Sequence, residues 1–269
     1  MAGGPYLRRP VGVAHSCRSP EYQTHHQSPG IGVEEIRINN PTKSPTDDQR
    51  SKQFRPDSDS LSEPRIKRII GGGHNNAYPV IKGVAKGLAK TNVIPLAQLN
   101  CVNLDAHPDY GPSEGRHSGN AFRYAEEDGY LGKYCIVGVH ENNISQNVLV
   151  DMHNNPFIDY ITYEEIFIHE RRNFIQAVAH ATGFTEDTYT GIEVDLDCIE
   201  NVLSSASSPT GISVLHARQF VNFTATDSKT AYLHICEGAT QLADGRKDIS
   251  TGKLISYLVS DFIKELTQE

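Results

Sequence analysis

From about residue 65 onward, short apolar, β-branched runs alternate with longer stretches whose apolar positions recur every three or four residues. The run at 65–70 predicts a strand that stops at Gly71, Gly72 and Gly73. Residues 78–90 place Val80, Val84 and Leu88 at helical spacing. Strands follow at 99–104, 134–139, 157–162, 189–196 and 231–236, and helices at 121–130, 164–181, 213–223 and 251–266. Runs of buried apolar strands separated by helices predict an α/β fold with a parallel sheet covered on both faces. In such sheets the ligand site lies outside the carboxyl ends of the strands.

Residues 1–64 read differently. They hold 8 of the 14 prolines, eight serines and equal numbers of basic and acidic residues, eight of each. That composition predicts a disordered leader at 1–64 ahead of one domain at 65–269, with a brief strand at 31–38 as the exception. The N-terminus lacks the apolar stretch of a secretion signal, and no run of eighteen apolar residues predicts a membrane helix. With 25 basic against 33 acidic residues the net charge is −8, which argues against a partner held by phosphate contacts. The five cysteines (17, 101, 135, 198, 236) are scattered without a C-x-x-C pair, as expected for reduced thiols in a cytoplasmic protein. Cys101, Cys135, Cys198 and Cys236 sit on or beside strands, where they serve as small core hydrophobes.

Polar clusters stand where three of the strands stop. They are Gly72-Gly73-His74, then Asp105, His107 and Asp109 at alternate positions, then Asp195 and Asp197. An isolated Asp after a strand is usually a cap or a turn residue. Together, however, these segments can project several carboxylates and two imidazoles into one crevice, because alternate side chains of extended backbone share a face. So many carboxylates in one place demand a cation. Mixed carboxylate and imidazole donors suit Mn²⁺ better than structural zinc, with Fe²⁺ and Co²⁺ as alternatives. Six ligands suggest two ions sharing bridging carboxylates.

The order Gly-Gly-Gly-His, Asp-Ala-His-x-Asp, Asp-x-Asp resembles the ureohydrolase family of arginases, agmatinases and formimidoylglutamases, over about residue 65 to the C-terminus. The resemblance implies a three-layer α/β/α sandwich around a mainly parallel sheet. It also implies two Mn²⁺ per subunit held by His74, Asp105, His107, Asp109, Asp195 and Asp197, and a homo-oligomer acting on a small-molecule amidine. Asp109 and Glu237 would be catalytic, Glu237 facing the cationic end of the substrate, and Ser118 and Asn120 would contact its other end. Two departures stand out. Where arginases carry a proton-shuttling His two residues after the Asn, this chain has Phe122, which makes His117 the nearest replacement, or else merely a loop histidine. The sheet is also expected to lack N-terminal strands that precede the glycine motif in family members, so an inactive ureohydrolase-like chain is one reading.

Substrate choice rests on residues 114–123. Arg116, with Arg123 near it, can hold a carboxylate bidentately, or the two can lie on a solvated face. The first alternative favours N-formimidoyl-L-glutamate, hydrolysed to L-glutamate and formamide, over the arginase- or agmatinase-type alternative. His140, at the end of the 134–139 strand, is a candidate cleft residue. The loop at 204–211 is expected to rim the site, and the charged runs at 164–165 and 170–172 to lie on a solvated helix face.

Overall fold

The computed structural model describes residues 34–37, 51–52, 66–227 and 229–267. Seven strands make one parallel sheet: β1 (Glu34–Arg37), β2 (Lys67–Ile70), β3 (Leu99–Leu104), β4 (Leu131–Val139), β5 (Ile158–Thr162), β6 (Thr190–Asp195) and β7 (Thr230–Cys236). Their spatial order is β1-β2-β7-β6-β3-β4-β5. β6 occupies the middle with β7 and β3 on either side, so the carboxyl ends of these three strands lie side by side.

The side-chain period of two divides the core. Val102 and Leu104 of β3 face one layer with Ala177 and Val178 of α5 (Phe174–Thr185), Phe220 of α6 (Val214–Asp227) and Leu258 and Phe262 of α7 (Ser250–Leu266). Leu99 and Cys101 face the other with Ile81 and Val84 of α1 (Ala77–Lys90), Phe122 of α2 (Ala121–Glu127) and Met152 of α3 (Gln146–Asn154). Both faces of the sheet are therefore covered, giving the expected three-layer α/β/α sandwich. Among the described residues no helix is long and apolar enough to cross a membrane. Cys101, Cys135, Cys198 and Cys236 are buried and free, as core hydrophobes should be.

Three local differences have physical reasons. Strand β1 falls within the predicted 31–38 and pairs with β2, so one strand besides β2 precedes the glycine motif. The rest of the leader expected to be disordered lies outside the described residues, apart from 51–52. Helix α3 escapes the pattern because it buries only Val148 and Met152, one turn apart. The predicted 164–181 helix is two, α4 (Tyr163–Phe167) and α5. Between them Glu170 takes φ 50°, outside the helical region, and Asn173 caps α5 by accepting the Gln176 N–H at 2.9 Å. Residues 170–172 thus occupy a loop, from which Arg172 pairs with Glu165 at 2.7 Å.

Gly191 on β6 tests the packing of the central strands. A Cβ there would lie 2.3 Å from the ring of the fully buried Tyr232. Gly191→Ala should therefore destabilise the chain by about 1–3 kcal/mol, read as a lowered urea midpoint; an unchanged midpoint would contradict this packing.

Candidate metal centre

Glycine builds the first wall of the site. Gly71 and Gly72 have φ of 92° and 81°, values that favour a residue without a Cβ. They turn the chain off β2 alongside the end of β7, where the Gly72 carbonyl accepts the Glu237 N–H at 3.0 Å. His74 then opens a short 3₁₀ turn (His74–Asn76) that runs into α1. Its backbone N–H donates to Glu237 Oε1 at 2.8 Å, which ties the first and last functional segments together.

Sheet register builds the rest. Leu104 pairs with Val194, so Asp105 and Asp195 leave neighbouring strands side by side. Both carboxylates are pinned in the same way, each accepting the N–H two residues on: His107 to Asp105 at 2.7 Å and Asp197 to Asp195 at 2.8 Å. Asp109 and Glu237 are non-glycine residues in the left-handed region, with φ of 45° and 58°. Such conformations persist where the surroundings over-determine them, and functional sites collect them.

All six predicted ligands come together. His74 Nδ1 lies 2.8 Å from Asp109 Oδ2 and 3.1 Å from Oδ2 of both Asp105 and Asp195. His107 Nδ1 lies 3.5 Å from Asp105 Oδ1 and from Asp197 Oδ1. Two donor groups result, His74-Asp105-Asp109-Asp195 and Asp105-His107-Asp197, with one oxygen of Asp105 in each. Neither nitrogen of the buried His74 makes a hydrogen bond among the described residues, nor does Asp197 Oδ1. Adjacent ligands around an octahedral ion with bonds of about 2.1 Å stand about 3.0 Å apart, which is the spacing around His74 Nδ1. The donors fit a pair of divalent cations that share Asp105.

The charges agree. Burial, then the neighbouring Asp105 charge, pushes the Asp109 carboxyl up to about 7. Asp105 and Asp197 hold the His107 imidazolium to about 11. Against burial, the facing imidazoles of His107 and His74 pull Asp105 down to about 2. Without a cation the cluster keeps protons that ligation must displace.

Beside the cluster lies a cavity of about 330 Å³. Asp109, Asp195, Asp197 and Glu237 give it an acidic side, while Ser118, Asn143, Ser145 and Ser205 line the remainder with neutral donors and acceptors. The loop expected to rim the site does so through Ser205 and Ala206.

Not every substrate candidate reaches this cavity. Ser118 lines it. The side chain of Asn120 is buried in its own loop, donating to the carbonyls of Pro112 and Gly115 at 2.9 and 2.8 Å and accepting the His117 N–H. The exposed His117 accepts the Gly119 N–H at 3.1 Å through Nδ1 and does not line the cavity. Arg116 stacks on Tyr78, 4.1 Å from the ring centre, and donates to the Asn75 carbonyl at 2.6 Å. Arg123 pairs with Asp151 at 2.5 Å. Neither arginine lines the cavity. His140 stacks on Tyr163 and lies 3.6 Å from Glu164, also away from the lining. Burial depresses its pKa. Phe122 packs edge-on against His74 and flat on Tyr134.

Reading the sequence missed what stands behind the ligands. Asn103 donates to Asp105 Oδ2 at 2.9 Å, and Glu193, fully buried, accepts from Tyr232 and bonds to His234, both at 2.6 Å. The available signal was an acidic residue inside an otherwise apolar strand, two positions before Asp195 and on its face.

The chain is thus an α/β protein whose parallel sheet ends its strands in a cluster of carboxylates and imidazoles able to hold divalent cations. The chain belongs to the arginase family, whose profile matches residues 40–262. The formimidoylglutamase of Staphylococcus aureus (strain JH9) is 26% identical over 212 residues, 76% of this chain and 63% of that protein. The chain therefore spans about 63% of the length of the curated relatives it matches. Its fold is shared by solved structures of low identity. Formimidoylglutamase from Bacillus subtilis subsp. subtilis str. 168 has a TM-score of 0.65 at 18% identity, over 82% of this chain and 66% of that one. Trypanosoma cruzi formiminoglutamase with Mn²⁺ gives 0.67 at 16%, over 83% and 71%. Arginase from Bacillus cereus gives 0.62 at 17%, over 80% and 75%.

Two outcomes test the centre. Asp105→Ala removes the carboxylate common to both groups and should abolish Mn²⁺ retention on gel filtration, measured by elemental analysis; two retained ions would contradict a shared ligand. Cation affinity should also fall with acidification. Below the Asp109 value of about 7 each displaced proton weakens apparent affinity about tenfold per pH unit. A pH-independent affinity, read by calorimetry, would contradict this.

Proposed function

We propose that this chain is a dimanganese hydrolase of linear amidines, cleaving a C–N bond of N-formimidoyl-L-glutamate to give L-glutamate and formamide. The observation that carries the reaction class is the pair of donor groups sharing Asp105 at the wall of a cavity that Glu237 also lines. Two Mn²⁺ ions held there would supply Lewis acidity and a water acidified to near-neutral pKa.

The chain's own residues do the remainder. Glu237 binds the cationic amidine through charge-assisted hydrogen bonds and turns its carbon toward the ligand cluster. The His74 N–H on Oε1 fixes that carboxylate in place. Asp109 accepts the proton released by the attacking water and returns it to the leaving amine, a role that Phe122 cannot take and that His117, outside the cavity lining, is poorly sited to share. Ser118 serves the far end of the substrate.

Support for the formimidoyl substrate comes from the Staphylococcus aureus relative, a formimidoylglutamase, and not from Arg116, whose guanidinium is turned to Asn75 and Tyr78. The same cavity favours a second reading. Apart from His107 it offers no basic side chain among the described residues, which suits a substrate without carboxylates, as in agmatinase-type hydrolysis. Buried free thiols support a cytoplasmic setting, and the homo-oligomer expected of the family belongs to the same reading.

Assay of the Mn²⁺-loaded chain against N-formimidoyl-L-glutamate, arginine and agmatine discriminates these readings. The first should be turned over fastest. Faster turnover of arginine or agmatine would replace the substrate and keep the reaction class, while no turnover by protein carrying two ions would overturn both. Glu237→Gln should keep its metal and lose about one to two decades of kcat/KM, the equivalent of about 1.5–3 kcal/mol for a charged hydrogen bond.

A further inference from the structure

Behind the ligand row of the sheet lies a second row that the proposed chemistry does not use. Register places Asn103 of β3, Glu193 of β6 and His234 of β7 side by side, two residues before Asp105, Asp195 and Cys236 and on the same face. All three are buried, at 0% exposure, beside apolar strand neighbours such as Val102, Ile192, Val194 and Ile235. A carboxylate is placed there at a cost unless something holds its charge.

Glu193 is held on both oxygens. Tyr232 O–H donates to Oε1 and His234 Nδ1 bonds to Oε2, each at 2.6 Å. Space for the Tyr232 ring exists because Gly191, two residues before Glu193, has no Cβ. The same Oε2 points at His74: it is 3.5 Å from Nε2, on the side of the ring opposite the Nδ1 that faces three carboxylates. His74 Nε2 makes no hydrogen bond among the described residues, and Glu193 is the carboxylate nearest to it.

We propose that Glu193, clamped by Tyr232 and His234, is a positioning residue that takes the Nε2–H of His74 and so fixes the tautomer presenting Nδ1 to one of the two cations. This rests on the dimetal reading above. An imidazole can ligate through either nitrogen, and a carboxylate on the far nitrogen decides which, while raising the basicity of the ligating one. The device serves one ion only. The second donor group, Asp105-His107-Asp197, contains neither His74 nor any partner of Glu193, so removing the Glu193 charge should weaken one site and spare the other.

Mn²⁺ titration of the full chain, followed by the electron paramagnetic resonance signal of the free ion, tests this. The unaltered chain should bind two ions. In Glu193→Gln, which keeps the shape and removes the charge, one Kd should rise about 10–100-fold while the other stays within about threefold. Two ions bound by both proteins with unchanged Kd values would overturn the proposal; an unaltered chain that binds none would instead overturn the dimetal reading. Should the variant not fold, the unaltered chain decides. Loaded with Zn²⁺ and labelled with ¹⁵N-histidine, it should show His74 protonated at Nε2, with a slowly exchanging, downfield proton. A metal-bound Nε2 with the proton on Nδ1 would overturn the proposal.

Discussion

Three carboxylate oxygens, from Asp105, Asp109 and Asp195, stand within 3.1 Å of a single buried imidazole nitrogen. The remainder of the site follows from that crowding. Like charges at this distance in a desolvated pocket repel strongly, and protonation alone relieves them only in part, leaving Asp109 at about 7. A divalent cation relieves all three at once. The strained backbone at Asp109 and Glu237 and the pinned carboxylates of Asp105 and Asp195 are ways of holding charges together that would otherwise separate.

The parallel sheet makes this possible because it ends all its strands in one direction. Adjacent strands deliver Asp105 and Asp195 as neighbours, and β7 brings Glu237 to the same rim. The hydrogen-bonded ladder beneath is covered by helices on both faces, so the ligands stand on backbone with little freedom to relax. Two donor groups that share Asp105 are thus a consequence of register as much as of composition.

Much of this was legible beforehand. The alternation of apolar strands and helices predicted the three layers, and each of the six ligands stood where a predicted strand stopped. What failed has a common physical origin. Asn120, His117 and Arg116 lie in the loop before α2, and proximity in sequence says nothing of the direction in which a loop side chain turns. Arg116 found aromatic faces and a carbonyl nearer than any substrate, and Asn120 closes the loop on itself. Glu193 was missed for a different reason. A single acidic residue in an apolar strand gains meaning only when register sets His234 beside it and a backbone turn brings His74 over it. Helix α3 was missed because two buried residues one turn apart are too few to show a period.

The central claim is that the carboxylate crowd is a seat for two cations with Asp105 between them. Anomalous diffraction at the manganese edge, from crystals of the full chain grown with Mn²⁺, addresses it most directly. Two peaks about 3.5–4 Å apart, flanking the Asp105 carboxylate, are predicted. A single peak, or none within reach of both His74 and His107, would contradict it.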